Sequence, residues 1–190
     1  MEATKKASGA TYYVRIIGTL FVIAAAVAVL LALVNLVTRD TIAEHAAEKK
    51  AKAMSEVMVG VTDYEPLAVP EGMKDVKEIL LAKNDAGADL GYCVQTGTNG
   101  NDGEIQLMVG ITLDGAVTKV SILSQKETMY VNKHGELIAR FDGKSGSVAL
   151  TQDGGDINAI SGATISSRAI TKGVNSALQA VQATTEGGAQ

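Results

Sequence analysis

Apolar residues along this chain change their period three times, and each period predicts a different element. Ile16 to Val37 (IIGTLFVIAAAVAVLLALVNLV) is uncharged, with only Gly18, Thr19 and Asn35 as mild interruptions. At about 1.5 Å per residue it predicts a helix of roughly 33 Å, enough to cross a bilayer core. Helical pairing is the form in which a single span satisfies its backbone in lipid. Thr41 to Met58 is charged and Ala-rich and reads as a solvated stalk helix continuing from or following the anchor, with Glu48 and Lys52 four apart. Val61 to Pro70 holds both prolines and reads as a break. In Asp75 to Lys83, Val76, Ile79 and Leu80 fit one helical face.

Period two follows. Leu90 to Thr96 alternates Tyr92 and Val94 with Cys93 and Gln95, and Glu104 to Leu113 places Ile105, Leu107, Val109 and Ile111 on one side. The Gly- and Asn-rich segment Gly97 to Gly103 is a loop between them. Asp114-Gly115 is a hairpin signal leading into Ala116 to Leu123, so at least three strands form an antiparallel meander. Gln125 to His134 is a polar connection, with His134 expected on its surface. Glu136 to Phe141 is a candidate short helix and Ser147 to Thr151 a further strand. The helical period returns in Ile165, Ala169, Ile170, Val174, Leu178 and Val181, and Ala183 to Gln190 is a frayed tail. The expected fold class is α+β: an N-terminal transmembrane helix, then an antiparallel sheet with flanking helices. The expected divisions are a tail over 1–15, the span over 16–37, a stalk over 38–60, the domain over 61–183 and a flexible tail over 184–190.

Charge and composition narrow the partners. From Asp40 onward 20 acidic face 13 basic residues, a net charge of −7. That balance, with no Trp and few aromatics, argues against nucleic acid. The single Cys93 excludes an internal disulfide and a multi-cysteine metal cluster, and His45 and His134 have no metal-ligand spacing. Cys93 reads as a small buried residue. No small-x-small cleavage site follows the apolar run, which favours a retained anchor over a signal peptide. Basic residues flank both ends of the span. The short basic tail and the acidic domain favour an N-terminus inside and a domain outside.

The candidate chemistry lies at Asn158-Ala159-Ile160-Ser161-Gly162-Ala163-Thr164-Ile165-Ser166-Ser167. Small residues and hydroxyls precede the last amphipathic run, so they form its first turn. A helix start offers unpaired N–H groups and a partial positive charge. That suits a phosphate, with Gly162 and Ala163 admitting close approach. It equally suits an ordinary capped start with Ser161 as the cap.

Ser161-Gly162-Ala163-Thr164-Ile165-Ser166 resembles the Ser/Thr-Gly-Ala-Thr-x-Ser/Thr signature of the FMN-binding domain that carries covalent flavin. That domain occurs in the G subunit of the Rnf electron-transport complex and in the C subunit of the sodium-pumping NADH:quinone oxidoreductase. The order of elements resembles the former along nearly the whole chain. The resemblance implies an FMN-binding domain over 61–183, with FMN joined to Thr164 as a phosphoester by a flavin transferase. It implies Ser161, Gly162, Ala163 and Ser166 around the phosphate, and Glu127 and Thr128 in a loop near the flavin. It also implies a single-pass protein of the inner membrane, with the domain on the extracytoplasmic side. Its partners would be the other subunits of an Rnf-type complex, coupling ferredoxin:NAD electron transfer to ion translocation. Two departures stand out. Met129-Tyr130-Val131-Asn132 replaces the family's Pro-Gly-Leu-Gly, where Tyr130 has a ring suited to stacking on a flavin. Asn158 replaces the family's Asp, with Asp156 nearby. These departures keep one alternative open, a membrane-anchored binding or assembly module with no redox role; a second is the flavin-bearing domain of a different membrane reductase, with another electron partner.

Overall fold

The computed structural model describes residues 3–128 and 131–187, and the chain divides into two compact units, Met1–Ala47 and Glu48–Gln190. Helix α1 (Ala3–Val57) begins in the first unit and ends in the second. Within the first unit every side chain from Tyr12 to Arg39 is exposed, Phe21 by 72% and Val37 by 76%. A helix this apolar, with none of that surface covered by protein, has the length and composition to cross a membrane.

The second unit is built on a five-stranded antiparallel sheet. Strands β1 (Asp63–Leu67), β2 (Val76–Lys83), β3 (Asp89–Asn99), β4 (Glu104–Thr112) and β5 (Val117–Ser124) lie side by side in chain order. The β4–β5 hairpin turns at Asp114-Gly115, as the dipeptide predicts, with Gly115 at φ +79°. Helix α2 (Val131–Ile138) and a 3-10 turn (Ala139–Phe141) follow the sheet, and helix α3 (Thr164–Gly187) closes the chain.

Both faces of the sheet are covered. On one, Ile79, Val94, Ile105, Leu107, Val109 and Ile111 pack under Ala169, Ile170, Val174, Ala177, Leu178 and Val181 of α3, with Leu137 and Phe141 alongside. A Cβ on Gly173 would stand 2.9 Å from Leu107 Cδ1, so a glycine there lets α3 close on the sheet. On the other face, Leu80, Ala82, Cys93 and Met108 meet Ala53, Met54, Val57 and Met58 at the end of α1 and just beyond it. Burial pushes the Cys93 thiol up to about 12, which makes it a packing group and a poor nucleophile.

Five expectations from the pattern are corrected. The end of the stalk is no solvated rod, because its last apolar residues cover the sheet. The break at Val61–Pro70 contains β1, where Pro66 is tolerated because β1 is an edge strand. Asp75–Lys83 is mainly a strand. Its register shifts between Val76 and Glu78, and this irregularity stretches the strand's period until it imitates a helical face. Ser147–Thr151 joins no sheet strand. The Val148 N–H donates to Asn175 Oδ1 at 2.9 Å, and Asn175 Nδ2 donates back to the Val148 carbonyl at 2.6 Å, so an α3 amide replaces a neighbouring strand. Finally, α3 runs on to Gly187 through residues expected to fray.

The solvated face of α2 yields one prediction. Gly135 sits inside this helix, exposed, with nothing within 4 Å of an added Cβ. Gly135→Ala is expected to raise stability by about 0.8–1.0 kcal/mol, read from urea unfolding of the detergent-solubilised chain.

Candidate functional site

Helix α3 starts from a tight turn. The Ala163 N–H donates to the Ile160 carbonyl at 3.0 Å, and Gly162 takes φ +82°, a conformation that favours glycine. Ser167 ties this turn from inside the helix. Its hydroxyl donates to the Ala163 carbonyl at 2.9 Å and accepts from the Ile160 N–H at 3.1 Å. Ser161 is exposed, so Ser167 does the tying that the sequence suggested for Ser161. The first i to i−4 bond is Ser167 N–H to Ala163 carbonyl, at 2.9 Å. The N–H groups of Thr164, Ile165 and Ser166 therefore precede the ladder and lack intrahelical acceptors.

A cleft of about 380 Å³ opens at this start, lined by Asn101, Asp102, Glu127, Gly162, Ala163, Thr164, Ile165 and Ser166. Two larger depressions, of about 480 and 430 Å³, lie farther along α3 and contain none of the signature residues. Thr164 is half-buried at the first position of the helix. Ile165, expected on the buried face, is instead 56% exposed and turned to the cleft side.

Glu127 organises the floor. It is only 8% exposed. One carboxylate oxygen accepts from the Asp102 N–H at 3.0 Å and the other from the hydroxyl of buried Ser166. A Cβ on Gly100 would overlap Glu127 Oε1, so a glycine there admits the carboxylate. Asp102 in turn accepts from the Thr128 N–H at 3.0 Å, the Thr128 hydroxyl at 2.6 Å and Asn101 Nδ2 at 2.7 Å. Those bonds, led by the Thr128 hydroxyl, hold the Asp102 carboxyl below the usual carboxylate range. The β3–β4 turn, the segment after β5 and the first turn of α3 are thus linked through two carboxylates.

Of the residues singled out by sequence, Gly162, Ala163, Thr164, Ser166 and Glu127 line this one cleft, and Thr128 reaches it through Asp102. The Ser166 hydroxyl, expected to face a phosphate, is held by Glu127. Asn158 is exposed and its carbonyl accepts from the Arg140 guanidinium, while Asp156 is paired with Lys144. Met129 and Tyr130 lie outside the described residues. Asn101 and Asp102 read in the sequence only as loop residues. Their signal is weak: a polar turn about sixty residues before the signature.

His134 also departs from expectation. It lies on α2 and is fully buried, not on a loop surface. Leu137, Ile138 and Phe141 follow it at helical spacing, a signal present in the sequence. Its Nδ1 bonds Gln125 Oε1 at 2.6 Å, and among the described residues Nε2 has no partner. Burial holds its pKa below the usual histidine range, against the opposing pull of Glu127.

Residues 100–179 match the FMN-binding domain family, and residues 18–57 match the RnfG N-terminal region. The G subunit of the Na⁺-translocating ferredoxin:NAD⁺ oxidoreductase complex of Acetobacterium woodii is 36% identical over 183 residues, 86% of this chain and 88% of that one. The G subunit of the ion-translocating oxidoreductase complex of Methanosarcina acetivorans is 33% identical over 180 residues, 89% of this chain and 94% of that one. The chain belongs to the RnfG family. A solved structure of NqrC from Shewanella oneidensis aligns with a TM-score of 0.46 at 15% identity, over 65% of this chain and 72% of that one. As an RnfG-family member, the chain joins a membrane anchor to an FMN-binding domain, and the cleft at Thr164 lies inside the matched domain.

Proposed function

We propose that this chain relays electrons through FMN joined by its phosphate to the hydroxyl of Thr164. It would do so as one component of an Rnf-type complex that couples electron transfer between ferredoxin and NAD to ion movement. One observation carries this reading: Thr164 lines a cleft at a helix start whose first three N–H groups lack intrahelical acceptors. A phosphate there is favoured by about 0.3–1 kcal/mol at an exposed helix end. Gly162 leaves the backbone open beside it, and the neighbouring Ser161 is exposed. Asp102 and Glu127 line the same cleft and repel a second anion, which favours the N–H side for the phosphate. Ser166 contributes its N–H, while its hydroxyl holds Glu127 in place.

When bound, FMN supplies the redox chemistry, and the protein sets its position and electrostatic surroundings. A phosphoester keeps the cofactor on the chain where free FMN is scarce. We assign the N-terminus to the cytoplasmic side and the domain to the extracytoplasmic side, where a flavin transferase would form the bond. The bilayer holds α1, and the other subunits supply and accept electrons.

Intact mass tests this reading. The native protein, made in a host with a flavin transferase, is expected to carry the added mass of one FMN phosphoester and to give a flavin-fluorescent band in a denaturing gel. Unmodified mass from such a host overturns it.

A further inference from the structure

Among the described residues, His134 is a buried titratable group that the proposed function leaves without a task. Its position is defined by packing. It is fully buried on the inner face of α2, among Leu137 and Phe141, which are themselves 0% exposed. Its ring is oriented by Gln125, whose Oε1 accepts from Nδ1 at 2.6 Å. That bond fixes the proton of a neutral ring on Nδ1 and leaves Nε2 as a bare lone pair. Among the described residues no donor reaches Nε2, although it is shut away from water. Neutral, that nitrogen is a buried acceptor without a donor; protonated, it is a buried cation that desolvation disfavours and a nearby negative charge favours.

The charge is at hand. Helix α2 packs against β5, the 3-10 turn and α3. Among the described residues of these elements and of the segment between β5 and α2, the charged group that acts on His134 is Glu127, two residues from Gln125. Glu127 is a wall of the cleft and is bonded to Ser166 in the first turn of α3. The Gln125–His134 bond and the Glu127–Ser166 bond thus tie α2 and the cleft to the same short segment after β5.

We propose that His134 is a proton-accepting site coupled to the cleft: Nε2 binds a proton from solvent when negative charge is added at the start of α3. The imidazole passes from neutral to +1 and offsets the added charge through Glu127. Resting on the assignment of FMN to Thr164, this makes His134 a positioning and charge-balancing residue. Its protonation would accompany both the arrival of the phosphate and the arrival of electrons on the cofactor.

The test compares His134 ring titration by NMR in one full-length chain in detergent, made with and without a flavin transferase. His45→Gln removes the only other histidine signal. A third sample, Thr164→Asp, adds negative charge to the cleft without flavin. The expected result is a His134 midpoint displaced to higher pH in both charged samples, and displaced back in each when Glu127→Gln is added. A midpoint that neither flavin nor Thr164→Asp moves overturns the proposal. If no flavin is attached and Thr164→Asp still moves the midpoint, the Thr164 flavin assignment fails and the coupling of His134 to the cleft stands.

Discussion

A Thr164→Ala chain is expected to fold like the native protein and to carry no covalent flavin. The two halves of that result have separate causes. Thr164 is the first residue of α3 and half-buried. Alanine suits a helix at least as well, and no hydrogen bond of the Thr164 side chain is lost among those that tie the turn. The turn is held by Ser167 and by the Ala163 N–H, both untouched. Stability should therefore move by no more than about 0.5 kcal/mol. The attachment oxygen, by contrast, has no substitute. Ser166 is buried and its hydroxyl is bound to Glu127, and Ser161 lies outside the cleft lining. Thr164→Ser keeps a hydroxyl at the same backbone position and should recover a flavin band. In-gel fluorescence and intact mass of the three proteins, each co-produced with a flavin transferase, decide the matter. Flavin on the alanine protein would move the attachment site elsewhere.

What the linear pattern reveals follows from how many faces each element buries. The anchor, the Glu104–Leu113 strand and α3 have one regular period each, and all three are readable. Strand β2 is not. Ile79 packs under α3 while Leu80 and Ala82 meet the end of α1, so its apolar run serves two cores and loses its alternation. The end of α1 hides for a related reason: its few apolar residues, Ala53, Met54 and Val57, are diluted among lysines and glutamates until the sheet supplies their partner. At the site, the contiguous half is visible as a helix start. The half supplied by Asn101, Asp102 and Gly100 depends on a turn brought back by sheet pairing, and no local period announces it. His134 misleads because a polar residue in a polar segment looks solvated, although Leu137 and Phe141 lie on its helical face.

Gly110→Ala is expected to destabilise the domain by a few kcal/mol. Gly110 lies inside β4, where a glycine without a turn marks a close approach by something else. Here the approaching group is backbone. A Cβ on Gly110 would overlap the Val57 carbonyl at the end of α1 and the hydroxyl of Thr118 on β5. Those two groups are bonded to each other, the Thr118 hydroxyl donating to the Val57 carbonyl, which is among the last carbonyls of a helix and has no intrahelical donor. A methyl group cannot be absorbed by a side-chain rotation on the Val57 side, because the obstacle is a peptide oxygen. Gly110→Ala must therefore lift the end of α1 from Met108 and Cys93 or break the bond that caps it. Overpacking of this kind costs about 1–3 kcal/mol, and loss of the partly buried bond adds about 1 kcal/mol. Gly110→Val should cost more, since both of its methyl groups point into the same contact. The variants are expected to unfold at lower urea concentration than the native chain and to open Cys93 to thiol reagents, while Gly135→Ala moves in the opposite direction. A Gly110→Ala chain with native stability and a protected Cys93 would mean that the end of α1 does not rest on the sheet in solution.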